Sequence, residues 1–169
     1  LHAETAYADL HFPYFIEKFA PVTRQPGLMS YNCRFSASYN HGEDTVMSVS
    51  VPVMTLCPCS KEISEYGAHN QRCIATASVR YKEFVWIEEI VEIIESSASG
   101  EMFAALKRPD EKYVTEHAYE NPMFVEDIVR EIAVKLDAME RVTWYLAEAE
   151  SQESIHNHNA YARVEKNKA

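Results

Sequence analysis

The chain has 169 residues, of which 47% are hydrophobic and 25% charged, the balance of an ordinary globular domain with room for a real core. Its net charge of −10 works against binding a nucleic-acid backbone, and no apolar run reaches the ~18 residues needed to span a bilayer. There is no signal-peptide pattern, so the expectation is a soluble, cytoplasmic protein with neither nucleic acid nor membrane as a partner.

The opening LHAETAYADL reads as the tail of a helix that begins elsewhere, so N-terminal sequence is expected to be missing. Asp9 to Lys18 is aromatic-rich and reads as a strand, placed at an edge or bent by Pro13. A loop marked by proline and glycine runs from Pro21 to Gly27. Met29, Tyr31, Cys33, Phe35, Ala37 and Tyr39 then alternate with polar residues, the period of a strand buried on one face. The turn NHGED, Asn40 to Asp44, leads into Met47, Val49, Val51 and Val53, and the two runs predict an antiparallel hairpin. SKEIS predicts one short helical turn, and Cys73, Ala75, Ala77, Val79 and Tyr81 a third strand. Trp86 to Ser99 puts Ile87, Ile90, Val91 and Ile94 on one helical face, with Gly100 as its stop. The polar RPDEKYVTEHAYENP predicts another helical piece, and Phe124 to Met139 a second amphipathic helix. Val142, Trp144 and Leu146, then Ala160, Ala162 and Val164, read as closing strands. Strands, helices and strands in that order argue for an α+β fold with helices on one face of an antiparallel sheet.

Three clusters could carry chemistry. In TLCPCSKEISEYGAHNQR, Thr55 to Arg72, Cys57 and Cys59 flank Pro58 directly after a buried strand, and His69 follows ten residues later. A closed structural zinc site needs four ligands, and the other cysteines, Cys33 and Cys73, share the apolar phase of their strands. A disulfide between Cys57 and Cys59 would close a small, strained ring. A mixed site fits better, with one thiol on a metal and the other free to react. In ESIHNHNAYA, Glu153, His156 and His158 read equally as a metal or proton-transfer cluster and as a solvated loop before an edge strand. Glu111 reads from the charge pattern as a surface carboxylate. Glu126 stands in the first turn of the last helix, where a carboxylate suits the macrodipole. Lys61, Arg72, Lys107, Arg108 and Lys112 are the basic residues near these motifs, and they matter where something anionic binds.

TLCPCSKEISEYGAHNQR, LKRPDEKYVTEHAYENP, FVEDIVR and ESIHNHNAYA, with FPYFIEKFAPVTRQPG before them, together resemble the prokaryotic type IB GTP cyclohydrolase I family, in family order over nearly the whole chain. The resemblance implies a tunnelling fold (T-fold): an antiparallel sheet with two antiparallel helices packed on one face, assembling into an oligomeric barrel. It further implies a homo-oligomer, a tetramer, with sites at subunit or module interfaces. Family members carry two such modules. By resemblance, residues 1–25 are the end of a preceding module and 26–169 the C-terminal module that carries the active site. The chain departs from the pattern in lacking the first module, and Cys73 stands where a small polar residue is expected.

The implied reaction is metal-dependent hydrolysis of GTP to 7,8-dihydroneopterin triphosphate and formate, opening folate and pterin synthesis and, in some organisms, deazaguanine modification of tRNA. One divalent metal per site (Zn, Mn or Fe) is implied, with Cys57, Glu111, Glu153 and His156 as its ligands. By the same resemblance Cys59 is the catalytic thiol, and His69 and His158 carry protons. Glu126 anchors the guanine, and Lys61, Arg72 and Lys112 face the triphosphate. Two alternatives remain beside this reading. One is an archaeal-type cyclohydrolase whose pterin product bears a cyclic phosphate, the other a non-catalytic metal-binding assembly module.

Overall fold

The period-two alternation becomes one antiparallel sheet in the computed structural model, which describes residues 4–168. Its strands are β1 (Ala6–Phe19), β2 (Pro26–Tyr39), β3 (Glu43–Leu56), β4 (Asn70–Tyr81), β5 (Gly100–Glu101), β6 (Val142–Ser151) and β7 (Ala160–Asn167). The spatial order is β1-β2-β3-β4-β6-β7, with the two-residue β5 pairing β3 beside that path. The helices are α1 (Pro58–Ile63), α2 (Ile87–Glu95), α3 (Arg108–Glu120) and α4 (Val125–Ala138). None of them is long and apolar enough to cross a membrane.

Two expectations about element ends are corrected. Ala6 to Leu10, read above as part of a helix tail, lie in β1, where Ala6 pairs Tyr39 and Leu10 pairs Phe35. Leu, Ala and Glu are helix formers, but continuous pairing with β2 overrides that weak preference. Residues 1–3 of the same stretch lie outside those described. Pro13 does not interrupt β1, because an outer strand tolerates a proline whose nitrogen faces away from the ladder. The second correction concerns α2, which ends at Glu95 and not near Ser99. The hydroxyls of Ser96 and Ser97 turn back onto the carbonyls of Glu92 and Ile93, at 2.6 Å each, competing with the helix ladder. Gly100 is therefore no helix stop. It sits in β5 and pairs Met54.

The core lies between one face of the sheet and the pair α2 and α4. Val49, Val51, Val53, Ala75, Ala77, Val79, Tyr145 and Ala147 are buried under Ile90 and Ile94 of α2 and Ile128, Ile132 and Leu136 of α4. Each fully buried aliphatic side chain contributes roughly 1.5–3 kcal/mol. The two helices run antiparallel. Arg141, just past α4, pairs with Glu89 at the start of α2, while Asn121, just before α4, donates to the Ala98 carbonyl at 3.0 Å beyond the end of α2.

The third long helix is pinned at its start. The buried Asp110 carboxylate accepts from the backbone N–H groups of Val22, Thr23 and Lys107 and from the Thr23 hydroxyl, at 2.6–2.9 Å. This clamps the β1–β2 loop to the N-terminus of α3. Burial raises the pKa of Asp110, but the hydrogen bonds from Thr23, Lys107 and Val22 outweigh it and hold the group well below the usual carboxylate range.

Candidate active site

The core-facing rows of three neighbouring strands turn polar at the same end of the sheet. Along β3 the run Met47, Val49, Val51, Val53 continues into Thr55 and Cys57. Along β4, read backwards, Val79, Ala77, Ala75, Cys73 continue into Gln71 and His69. Along β6, Tyr145, Ala147, Ala149 continue into Ser151 and Glu153. The pleat keeps its period of two, so these polar residues project from the face that carries the core, just beyond it. Register sets them side by side: Thr55 pairs Gln71, and Cys73 pairs Ser151. The N–H of Gln152 donates to the Arg72 carbonyl at 2.8 Å, which carries the pairing past β6 and brings Glu153 opposite Gln71.

The polar residues of these rows, His69 excepted, border a cavity of about 320 Å³. Thr55, Gln71 and Ser151 contribute to its floor, and Cys57, Cys59, Glu126, Glu153, His156 and His158 also line it. Thr55 and Ser151 are both buried, and their hydroxyls lie 3.2 Å apart. Cys57 caps α1, with the Ser60 N–H reaching its sulfur at 3.4 Å, and Pro58 fills the first helical position, where no N–H is needed. The Cys57 N–H bonds the His69 carbonyl at 3.2 Å. The chain returns from α1 to that contact through Gly67, whose φ of 117° suits glycine. Cys59, two residues on, is exposed.

The histidines come from the β6–β7 loop. The rings of His156 and His158 stack with centroids 5.2 Å apart. Glu153 accepts from the Gln71 side-chain amide. His69 meets the Ser154 hydroxyl through Nδ1 at 3.0 Å. Glu126 stands at the start of α4. Cys33 and Cys73 take no part. Burial pushes their thiols up, to about 11 and about 12, so both stay neutral in the core.

Five of the expected residues do not line this cavity within one chain, the first being His69 in the segment before β4. Glu111 and Lys112 line a separate shallow depression on α3, with Arg108, Thr115 and Glu116. Lys61 donates to the Tyr119 carbonyl and lies 4.4 Å over that ring. Arg72 is exposed at an even position of β4, on the face of the sheet opposite the core. Among the described residues no three His, Cys, Asp or Glu side chains converge closely enough to hold a metal ion. The donors on the cavity wall are nevertheless the right kinds: thiol sulfur, imidazole nitrogen and carboxylate oxygen, a mixed set that Zn, Mn or Fe accepts. A second cavity of about 220 Å³, between the end of β1 and α3, is lined by none of the expected site residues.

Reading motifs alone missed Thr55, Gln71, Ser151 and Ser154. The first three carried a signal: each is a polar residue standing in the apolar phase of a strand. Ser154 carried none.

The family model for type I GTP cyclohydrolase folE2 matches residues 1–162. A GTP cyclohydrolase FolE2 of Geotalea uraniireducens is 57% identical over 168 residues, covering 99% of this chain and 62% of that protein. One of Citrifermentans bemidjiense is 56% identical over 168 residues, covering 99% and 63%. A GTP cyclohydrolase FolE2 2 of Dechloromonas aromatica is 56% identical over 169 residues, again covering 99% and 63%. The chain thus spans less than two thirds of the length of these curated relatives.

Proposed function

Because the chain belongs to the type I GTP cyclohydrolase FolE2 family, we propose that it carries the chemical half of a GTP cyclohydrolase site, which hydrolyses GTP to formate and 7,8-dihydroneopterin triphosphate. The observation that supports this most is the meeting of Cys57, Cys59, Glu126, Glu153, His156 and His158 on one cavity from three separate segments. The proposed assembly is a homo-oligomeric T-fold barrel, a tetramer, in the cytoplasm. Its product enters folate and pterin synthesis.

Carbon 8 of guanine is a poor electrophile, so the site must supply an activated water. Cys57, Glu153 and His156 would hold a divalent metal, with Glu111 reaching it from a neighbouring copy. When bound, that metal lowers the pKa of water toward ~7 and so provides a nucleophile near neutral pH. Glu126 accepts from N1–H and the 2-amino group of the guanine. That bidentate contact holds the base in register and rejects adenine, which lacks both donors. Cys59, exposed on the wall, is the catalytic thiol that meets the region of C8. His158 holds the proton delivered to the ring nitrogen as the imidazole opens, and His69 serves formate release. Lys61, Arg72 and Lys112 are proposed to face the triphosphate across a subunit boundary, which would explain their absence from this chain's own cavity.

The test is an assay of the whole protein with GTP and added zinc, manganese or iron, following formate and, after oxidation, pterin fluorescence. Cys59→Ala is expected to abolish formate release while keeping the metal, and Cys57→Ala to lose both. Normal turnover by Cys59→Ala would remove the thiol from the mechanism. The mass of the product separates the triphosphate from a cyclic phosphate pterin. Metal binding without turnover in the parent would leave a non-catalytic assembly module.

A further inference from the structure

Two side chains outside the proposed machinery join its halves. Gln71 sits on the cavity floor, opposite Glu153 by sheet register. Its amide nitrogen donates to the Glu153 carboxylate, and its amide oxygen accepts the Ser154 N–H at 3.4 Å. These partners fix the orientation of the amide, because the flipped form would set oxygen against carboxylate and NH₂ against N–H. Ser154 then continues the chain, with its hydroxyl 3.0 Å from Nδ1 of His69. The sequence of bonds runs Glu153, Gln71, Ser154, His69. It crosses from the β6–β7 loop to β4 and back to the segment before β4 that closes on the Cys57 N–H.

We propose that Gln71 and Ser154 are positioning residues: a hydrogen-bonded strap that fixes the Glu153 carboxylate and holds the His69 ring with Nε2 free for substrate. The inference rests on the proposed function for the roles of Glu153 and His69, but the strap itself is a matter of geometry. Glu153 and His69 both stand on loops, and loops position side chains loosely unless something ties them. Here the tie comes from one amide that serves both polarities. Glutamate at position 71 would keep the acceptor for the Ser154 N–H while placing a second carboxylate against Glu153. Alanine at 154 would keep the backbone N–H and lose only the contact to His69.

The experiment uses the whole, metal-loaded protein labelled with ¹⁵N-histidine, with the His69 signals identified by their loss in His69→Gln. At a pH where the ring is neutral, the parent should show a single His69 tautomer. Ser154→Ala should move both ring nitrogens toward the averaged shifts of free imidazole, and Ser154→Thr should restore them. In the rate assay, Ser154→Ala should lower kcat for formate release about tenfold, the worth of one hydrogen bond, with KM for GTP within about twofold. Gln71→Glu should lower kcat at least as far. A parent-like His69 spectrum in Ser154→Ala would overturn the strap. If the parent fails to turn over GTP, the proposed function falls, while the spectral comparison still decides whether the strap exists.

Discussion

The four cysteines of this chain belong to two chemical classes, and the sheet decides which is which. Cys33 and Cys73 occupy core-facing positions, where loss of hydration pushes their thiols to about 11 and about 12. Cys57 caps a helix at the cavity wall, and Cys59 is exposed. Reagents attack the thiolate, so brief iodoacetamide treatment near pH 8 is expected to label Cys59 first and to leave Cys33 and Cys73 untouched until the protein unfolds. Peptide mass mapping with time checks this. Equal labelling of Cys73 would contradict its burial. Glu126 makes a second prediction at this scale. If its carboxylate reads the guanine edge, Glu126→Gln replaces one acceptor by a donor and loses a charged hydrogen bond. KM for GTP should then rise about tenfold or more, with little change in the metal retained. An unchanged KM would remove Glu126 from guanine recognition.

At the scale of elements, most of the architecture was legible because β2, β3 and β4 bury one face, so apolar residues at every second position mark them; in β6 the buried row is Tyr145, Ala147 and Ala149, the opposite phase to Trp144 and Leu146. The misreadings have physical causes. Ala6 to Leu10 resemble a helix only while the partner strand is out of view, because pairing with Phe35 to Tyr39 is a long-range fact. The end of α2 was misplaced because the hydroxyls of Ser96 and Ser97 compete for its last carbonyls, while the apolar pattern gave no sign of stopping. The site was legible in its motifs and obscure in its floor, since Thr55, Gln71 and Ser151 acquire meaning only when three rows align. Asp110 was likewise hidden beside Glu111 in a polar run, yet it anchors α3 to the β1–β2 loop. Its carboxyl is held below the ordinary value of ~3.9. The stabilisation from its charge is therefore full above that value and lost as pH falls toward the lower folded one. Asp110→Asn should lower the thermal midpoint by several degrees at pH 7, and the gap from the parent should narrow below about pH 4. Thermal melts of both proteins across pH 3 to 7 check this. A gap independent of pH would mean that the clamp works without its charge.

At the scale of the molecule, charge and topology pull the proposed site in opposite directions. The chain carries a net −10, yet the proposed substrate is a triphosphate. Cations must gather where the phosphates lie, and the cavity walls of a single chain offer carboxylates, thiols and imidazoles in their place. The basic residues nearest in sequence are turned elsewhere: Arg72 on the opposite face, Lys61 on Tyr119, and Lys112 beside Glu111 on α3. The sheet is open, with β1 and β7 as its outer strands, and Tyr7, Leu10 and Phe15 of β1 are exposed. Long unpaired edges of this kind are templates for pairing with another chain. A barrel of several copies would cover them, and it would also let α3 of one copy serve the cavity of the next. Complementation tests that arrangement directly. Glu111→Ala and Cys59→Ala are each expected to be inactive alone, one lacking a donor and the other the thiol. If a site takes Glu111 from one copy and Cys59 from another, co-expressed or remixed subunits should recover about a quarter of parental formate release, the share of random pairings that unite two intact contributions. If both residues serve the same chain's site, every site in the mixture carries one lesion and no activity returns. Recovery that disappears on dilution below the assembly concentration would tie turnover to the oligomer itself.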